Sequence, residues 1–420
     1  MRHFWCELAW LGGGHPEPSV LIDVDGNGLI SGVAARNAAT PDATVLPGLT
    51  LPGMANAHSH AFQRALRGRT EGASGGSFWT WREQMYALAQ SLDETRVEAL
   101  ARATFAEMAL AGVTLVGEFD YLHFSEAIMR AASDAGIRLT LIDACYLHGG
   151  IERFRDQSAH AWARRVDVID PGPRGGLARI GAAIHSVRAV DPVSARTVAE
   201  FAAERDLPLH AHVSEQPAEN ETCLREHGMT PMTLLHQAGA MSARFTAVHA
   251  THLTDADAAL LTGTDTYVCM CPTTERDLAD GIGSPLGRHT LGSDSNAFVD
   301  LLEEARAVEL DRRLQTGIRG LHAPAELALA ATRHGYDSLG WPDGGAIAVG
   351  RLADFVSVRL DGVRLAGTRS QDALDAVLFA GAAADVDTVV VGGREIVRDG
   401  RHARLDVAAE LTEAIGALST

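Results

Sequence analysis

Histidine- and carboxylate-bearing segments spread across this chain can be gathered into one metal site: His58-Ser59-His60, His185-Ser186-Val187-Arg188, His210-Ala211-His212 with Glu215, Val248-His249, and Gly292-Ser293-Asp294-Ser295. Each closes a short apolar run. His58 and His60 are two apart, and both reach one ion if the strand terminates or twists there; Pro52-Gly53 upstream and the helix-like stretch 61–67 downstream allow this. These two histidines with His212 and Asp294 make a mononuclear site with room for water, and a divalent ion there lowers the pKa of water from about 15.7 toward 7. The chemistry is hydrolytic.

Glu215, three residues past His212, stands where a carboxylate can carry protons between that water and a leaving nitrogen; its bland alternative is a helix N-terminal carboxylate. His249 is a candidate base, or an electrophile acting on the reacting carbon's substituent, set against an ordinary core histidine. His210 can occupy the opposite face of its strand with a backbone hydrogen bond, and His252 reads as structural. Arg82, within Phe78-Trp79-Thr80-Trp81-Arg82-Glu83, and Arg188 stand where arginine is costly unless used. Each can fork onto a carboxylate, against the alternatives of a salt bridge to Glu83 and a solvated strand end. Gln63, Tyr121 and His185 complete a polar lining, and the whole suits a small dicarboxylate or an amino-acid-derived substrate.

The elements that must hold these residues alternate short apolar runs with longer helical segments, the pattern of parallel strands with crossover helices. Eight strands are predicted, at 50–58, 113–121, 138–146, 179–187, 207–214, 245–251, 266–272 and 289–294, with helices such as 92–111 and 193–205 between them. Eight such units make an α/β barrel of the (β/α)8 type, whose active site forms at the carboxyl ends of the strands. The catalytic barrel is expected over 50–344. Residues 1–49 and 345–420, rich in short β-like runs with Gly and Asp turns, are expected to pair into one small β domain, a β-sandwich built from both termini. The run Gly72-Ala73-Ser74-Gly75-Gly76 reads as a mobile loop near the barrel mouth.

A chain of 420 residues with 46% apolar content buries a large core. Its net charge of −18, with no basic block, opposes nucleic acid and anionic lipid as partners and makes individual pocket arginines informative. All 36 basic residues are arginine, which excludes a Schiff-base lysine, a P-loop lysine and a metal-bridging lysine carbamate. Five scattered cysteines suit reduced thiols, and Cys269-Met270-Cys271 reads as alternate residues of an apolar strand. No apolar run approaches the roughly 20 residues that cross a bilayer and the start lacks signal-peptide features, so a cytoplasmic location is expected. A homodimer is the usual prior.

The sequence resembles the amidohydrolase superfamily and, within it, the formimidoylglutamate deiminases, over nearly its whole length. The resemblance rests on Pro52-Gly53-Met54, His58-Ser59-His60-Ala61-Phe62-Gln63-Arg64-Ala65, Phe78-Trp79-Thr80-Trp81-Arg82-Glu83, Glu118-Phe119 with Tyr121, His185-Ser186-Val187-Arg188-Ala189-Val190, His210-Ala211-His212 with Glu215-Gln216, Val248-His249-Ala250-Thr251-His252, and Gly292-Ser293-Asp294-Ser295. It implies one Zn2+ held by His58, His60, His212 and Asp294. It further implies proton transfer by Glu215 with His249 or Asp294, and substrate contacts from Gln63, Arg82, Tyr121, His185 and Arg188. The implied substrate is N-formimidoyl-L-glutamate, hydrolysed to N-formyl-L-glutamate and ammonia in histidine degradation. Asn296 and Asp120 stand where histidine occurs in some members, and Cys271-Pro272-Thr273-Thr274-Glu275-Arg276 differs from forms with Ser-Thr-Glu-Ala-Asn. The rivals are a deaminase of a heterocycle such as guanine, imidazolonepropionase, and a metal-free barrel kept as a binding protein.

Overall fold

The computed structural model describes residues 1–70, 76–172 and 176–418. Of the glycine-rich run read as a loop, residues 72–75 lie outside the described residues. Two eight-stranded sheets organise the chain. The first is mixed and takes strands from both termini: β1 (Arg2–Ala9), β2 (Glu17–Val24), β3 (Ile30–Ala34) and β4 (Thr44–Pro52) from the beginning. The later part of the chain adds β13 (Phe355–Val358), β14 (Val386–Val391), β15 (Arg394–Arg398) and β16 (Arg401–His402). β4 joins the two contributions, parallel to β1 and antiparallel to β13. Phe4, Ile22, Leu46, Phe355 and Val390 meet in its core.

The second sheet is the barrel, all parallel and in sequence order: β5 (Met54–Ser59), β6 (Val113–Asp120), β7 (Arg138–Cys145), β8 (Ala178–Ser186), β9 (Leu209–Val213), β10 (Phe245–His249), β11 (Tyr267–Met270) and β12 (Arg288–Leu291). Almost every residue of these strands is buried, because core side chains cover one face and crossover helices the other. The barrel closes at its carboxyl end through the site itself. Asp294 N donates to His58 O at 3.0 Å and His60 N to Asp294 O at 2.9 Å.

The predicted strand 50–58 is two strands in two sheets. Its apolar run is unbroken in sequence, but Gly53 passes the chain from the terminal sheet into the barrel; a Cβ there would lie 2.2 Å from Thr114 Oγ1. The helix expected at 92–111 spans Glu94–Leu110, begins at Asp93, whose carboxylate accepts from Arg96 N at 2.9 Å, and stops before Gly112 at φ +87°. The helix expected at 193–205 spans Pro192–Glu204, with Asp191 as its cap.

The terminal sheet is fastened to the barrel by a buried ion pair. Arg138, first residue of β7, meets Asp354 at 2.6 and 3.0 Å, and that carboxylate also accepts from Tyr336 Oη at 2.8 Å and Gly392 N at 2.7 Å. Such a pair holds position only when its remaining lone pairs are satisfied, as here.

Candidate active site

Period-two alternation along a strand puts residues i and i+2 on one face, so His58 and His60 need no twist to converge on the barrel axis. The same rule corrects the reading of His210. It shares the inward face with His212 and lies one layer deeper, its Nε2 against Ser338 O at 3.4 Å. His252 is held by Asp280 O at 2.7 Å, a structural role.

Among the described residues, one group of potential ligands converges: His58, His60, His212 and Asp294, all buried, with ligating atoms within 4.8 Å of one another. Asp294 Oδ1 lies 3.2 Å from His58 Nε2 and 3.4 Å from His60 Nε2, and His212 Nε2 lies 3.1 Å from His58 Nε2. His60 Nδ1 points at Phe119 O (3.2 Å) and His212 Nδ1 at His185 O (2.8 Å), which leaves both rings presenting an Nε2 lone pair to the same point. Lone pairs crowded this closely repel unless a cation lies among them. The donor set of three imidazoles and one carboxylate therefore fits a divalent metal. Burial and the neighbouring rings hold His58 and His212 well below the ordinary histidine range and His60 at about 3, so all three are neutral ligands near pH 7. Without an ion, burial pushes Asp294 up to about 7.

The strand ends turn sharply to achieve this. Ser214, His249, Ala250, Asp294 and Asn296 all have left-handed φ, between +44° and +69°. Such conformations cost energy in non-glycine residues and persist where surrounding contacts over-determine them.

Glu215 Oε2 accepts from Arg188 Nη2 at 2.6 Å, and its Oε1 is 3.7 Å from His249 Nε2. Burial alone would raise the Glu215 carboxyl, but Arg188 and then His249 outweigh it and keep it below its usual value. For His249, burial opposes the charge while Glu215, Glu275 and Asp294 favour it more strongly and lift it well above the usual range. Arg188 is neither a solvated strand end nor a free fork: it bridges Glu215 and the buried Glu219, whose Oε2 is 3.9 Å from its Nε. Glu219 also accepts from Glu215 N at 3.2 Å.

Arg82 differs. It projects from the helix Phe78–Ser91, capped by Ser77, with its guanidinium 4.5 Å from the Trp79 ring and 5.3 Å from that of Tyr86. Its Nε is buried without a partner. Tyr121 Oη accepts from Gln63 Nε2 at 3.0 Å, and the His185 Nδ1 lies 3.2 Å from Ser186 Oγ. Gln63, Arg82, Tyr121, His185, Arg188 and Glu215 line one pocket above the metal cluster with His60, His212 and Asp294, together with Phe78, Trp81, Tyr146 and Phe154; His58 and His249 lie outside that lining.

Three residues that the sequence places within the resemblance or among the departures from it, without a role, act as supports of the site. Glu275 Oε1 accepts from Cys271 N at 3.0 Å and faces His249 Nδ1 at 3.4 Å, orienting that ring. Glu118 Oε1 accepts from Ala61 N at 2.7 Å, fixing the turn after His60. Asn296 Nδ2 reaches His60 O at 3.0 Å, Ser59 Oγ at 3.2 Å and Asp294 O at 3.2 Å, while its Oδ1 accepts from Ser293 Oγ at 2.7 Å. It ties the loop of one metal ligand to that of two others. Asp120, the other departure, accepts from Leu122 N and His123 N in a turn at the end of β6 and does not line the pocket.

A parallel eight-stranded barrel with three histidines and an aspartate converging at its carboxyl end defines the metal-binding barrel hydrolases. The chain belongs to the amidohydrolase family, whose model matches residues 49–396. It is similar to a formimidoylglutamate deiminase of Pseudomonas aeruginosa, 34% identical with 92% of each chain covered. It is also similar to an 8-oxoguanine deaminase of the same organism, 30% identical with 86% of this chain and 85% of that one covered. Among solved structures, an amidohydrolase from Brucella melitensis superposes with a TM-score of 0.90 at 31% identity over all of both chains.

Proposed function

We propose that this chain is a metal-dependent deiminase that hydrolyses N-formimidoyl-L-glutamate to N-formyl-L-glutamate and ammonia. The observation that carries the reading is the pocket above the metal cluster, where Arg82 has no carboxylate partner among the described residues and Arg188 stands beside Glu215. A substrate with two carboxylates gives Arg82 the anionic partner it lacks and places its second carboxylate against the Arg188 guanidinium beside its bridge to Glu215 and Glu219, which a neutral heterocycle does not. The 34% identity to a formimidoylglutamate deiminase supports the same choice.

His58, His60, His212 and Asp294 would hold one Zn2+, the ion that suits an N/O donor set with an open position. That ion would acidify water from about 15.7 toward 7. Arg82 and the free guanidinium nitrogen of Arg188 hold the two carboxylates, while Gln63, Tyr121 and His185 orient the formimidoyl group. Water adds to the formimidoyl carbon, and the C–N bond to the terminal nitrogen breaks. Glu215, beside both the metal cluster and His249, carries the water's two protons in turn to that nitrogen, which leaves as ammonia while the water's oxygen becomes the formyl oxygen. His249, oriented by Glu275, presents Nε2 to the developing C–O group, and Asp294 shares in taking the water's proton.

The aromatic lining from Phe78, Trp81, Tyr146 and Phe154 favours a second reading, a heterocycle deaminase. Comparing kcat/KM for N-formimidoyl-L-glutamate with that for 8-oxoguanine decides between them. The proposal expects the acidic substrate to win and Arg188→Ala to abolish the preference; activity unchanged in Arg188→Ala contradicts it.

A further inference from the structure

Cationic side chains also gather at the other end of the barrel. A cleft of about 870 Å³ opens between the terminal sheet and the amino ends of β7 and β8, lined by Arg2, Arg138, Arg179, Arg394 and Arg404. In a chain of net charge −18 this is a local reversal of sign. Two acids among the described lining residues, Asp25 and Glu395, are already engaged. Asp25 Oδ1 accepts from Asn27 N and Leu29 N at 2.9 Å, and Glu395 is paired with Arg398 at 2.7 Å.

How the arginines are held separates them. Arg138 is neutralised by Asp354. Arg179 donates to Gly340 O and lies 4.0 Å from the Trp341 ring; Arg404 donates to Ser133 O and Asp134 O at 3.2 and 2.9 Å; Arg2 donates to Gly393 O. Among the described residues, none of Arg2, Arg179, Arg394 and Arg404 forms an ion pair with a carboxylate. Carbonyl oxygens orient a guanidinium without cancelling its charge, and the backbone N–H groups on Asp25 likewise leave its carboxylate charged, so the four arginines less Asp25 put three net positive charges on one cleft. Burial, and then the charges of Arg138 and Arg244 against that of Asp343, lower the Arg179 guanidinium from its ordinary value.

We propose that this cleft is a binding site for a small organic phosphate, held by the guanidiniums of Arg2, Arg179, Arg394 and Arg404. Several guanidinium forks lining one cleft can share the oxygens of a phosphate dianion, and the volume is that of pockets which enclose a small molecule, well beyond inorganic phosphate. A ligand there touches no residue of the metal pocket, so the inference is independent of the substrate assignment.

The test is calorimetric titration of the full-length metal-loaded protein with glucose 6-phosphate, which carries no amine to hydrolyse, and with inorganic phosphate, at matched ionic strength. Saturable one-to-one binding of glucose 6-phosphate is expected, at least tenfold weaker in Arg179→Ala and in the exposed double variant Arg394→Ala/Arg404→Ala, and unchanged in Arg82→Ala. Equal affinity for inorganic phosphate would support the anion site and assign recognition to the phosphate group alone. No saturable binding of either probe up to about 10 mM would overturn the proposal. So would binding that survives both cleft variants, or that is lost in Arg82→Ala and therefore belongs to the metal pocket.

Discussion

Replacing Asn296 by alanine should loosen the metal centre without removing a ligand. The side chain is fully buried at φ +55° and gives two N–H donors to three oxygens while accepting from Ser293. Losing about three net hydrogen bonds costs about 1 kcal/mol each. A left-handed alanine adds about 1–2 kcal/mol, for a total of about 4–5 kcal/mol. With about 2.1 cal/mol/K of unfolding entropy per residue over 420 residues, or about 0.9 kcal/mol/K, the chelated protein should melt about 5 °C lower. Because the loop that shifts carries Asp294, metal affinity should weaken about 10–100-fold. Asn296→Gly, which accepts positive φ freely, separates the two contributions: it should recover about 1–2 °C of melting temperature but none of the lost metal affinity. Differential scanning calorimetry of the chelated forms and competition titration with a chromophoric chelator measure both. A melting temperature within about 1 °C of the parent, with unchanged metal affinity, would refute the argument that Asn296 ties these loops together.

Arg82→Ala should raise KM for the acidic substrate about 10–100-fold with little change in melting temperature, since no carboxylate partner is orphaned by its loss; steady-state kinetics with a thermal scan reads both. Glu275→Gln should lower kcat about tenfold or more and leave KM nearly unchanged, because it acts on His249 and not on the substrate; a rise in KM alone would contradict that. The contribution of Asp294 to the stability of the metal-free protein should fall as pH rises from about 4 to about 7, read as the difference in melting temperature between the parent and Asp294→Asn. Burial lifts Asp294 from 3.8 to about 7, so the folded chain keeps a proton that the unfolded chain has lost, and protons bound more tightly by the folded state favour it at low pH. For the same reason metal uptake should release a proton and weaken as pH falls below about 7, which isothermal titration in two buffers of different ionisation enthalpy detects.

The barrel strands were legible because parallel strands covered on both faces read as unbroken apolar runs, each closed by the polar residue that the barrel mouth needs. That same continuity hid Gly53, where one run crosses from sheet to sheet; only the Thr114 side chain pressed against it forbids anything larger. The metal-ligand candidates were legible as residue types at strand ends. Their supports were not, because Glu275, Asn296 and Glu118 act through partners distant in sequence, and a lone Glu or Asn in a loop carries no periodic signal. Arg188 could be recognised as a cation at a strand end, whereas its bridge between Glu215 and Glu219 depends on how the turn after β9 folds back.

Ammonia release from N-formimidoyl-L-glutamate, with metal quantified on the same purified sample before and after chelation, tests the central claim most directly. The account predicts turnover that scales with occupancy, saturates near one ion per chain, disappears on chelation and returns on adding Zn2+. Full metal occupancy without ammonia from this substrate, or turnover that persists in the chelated protein, would contradict it.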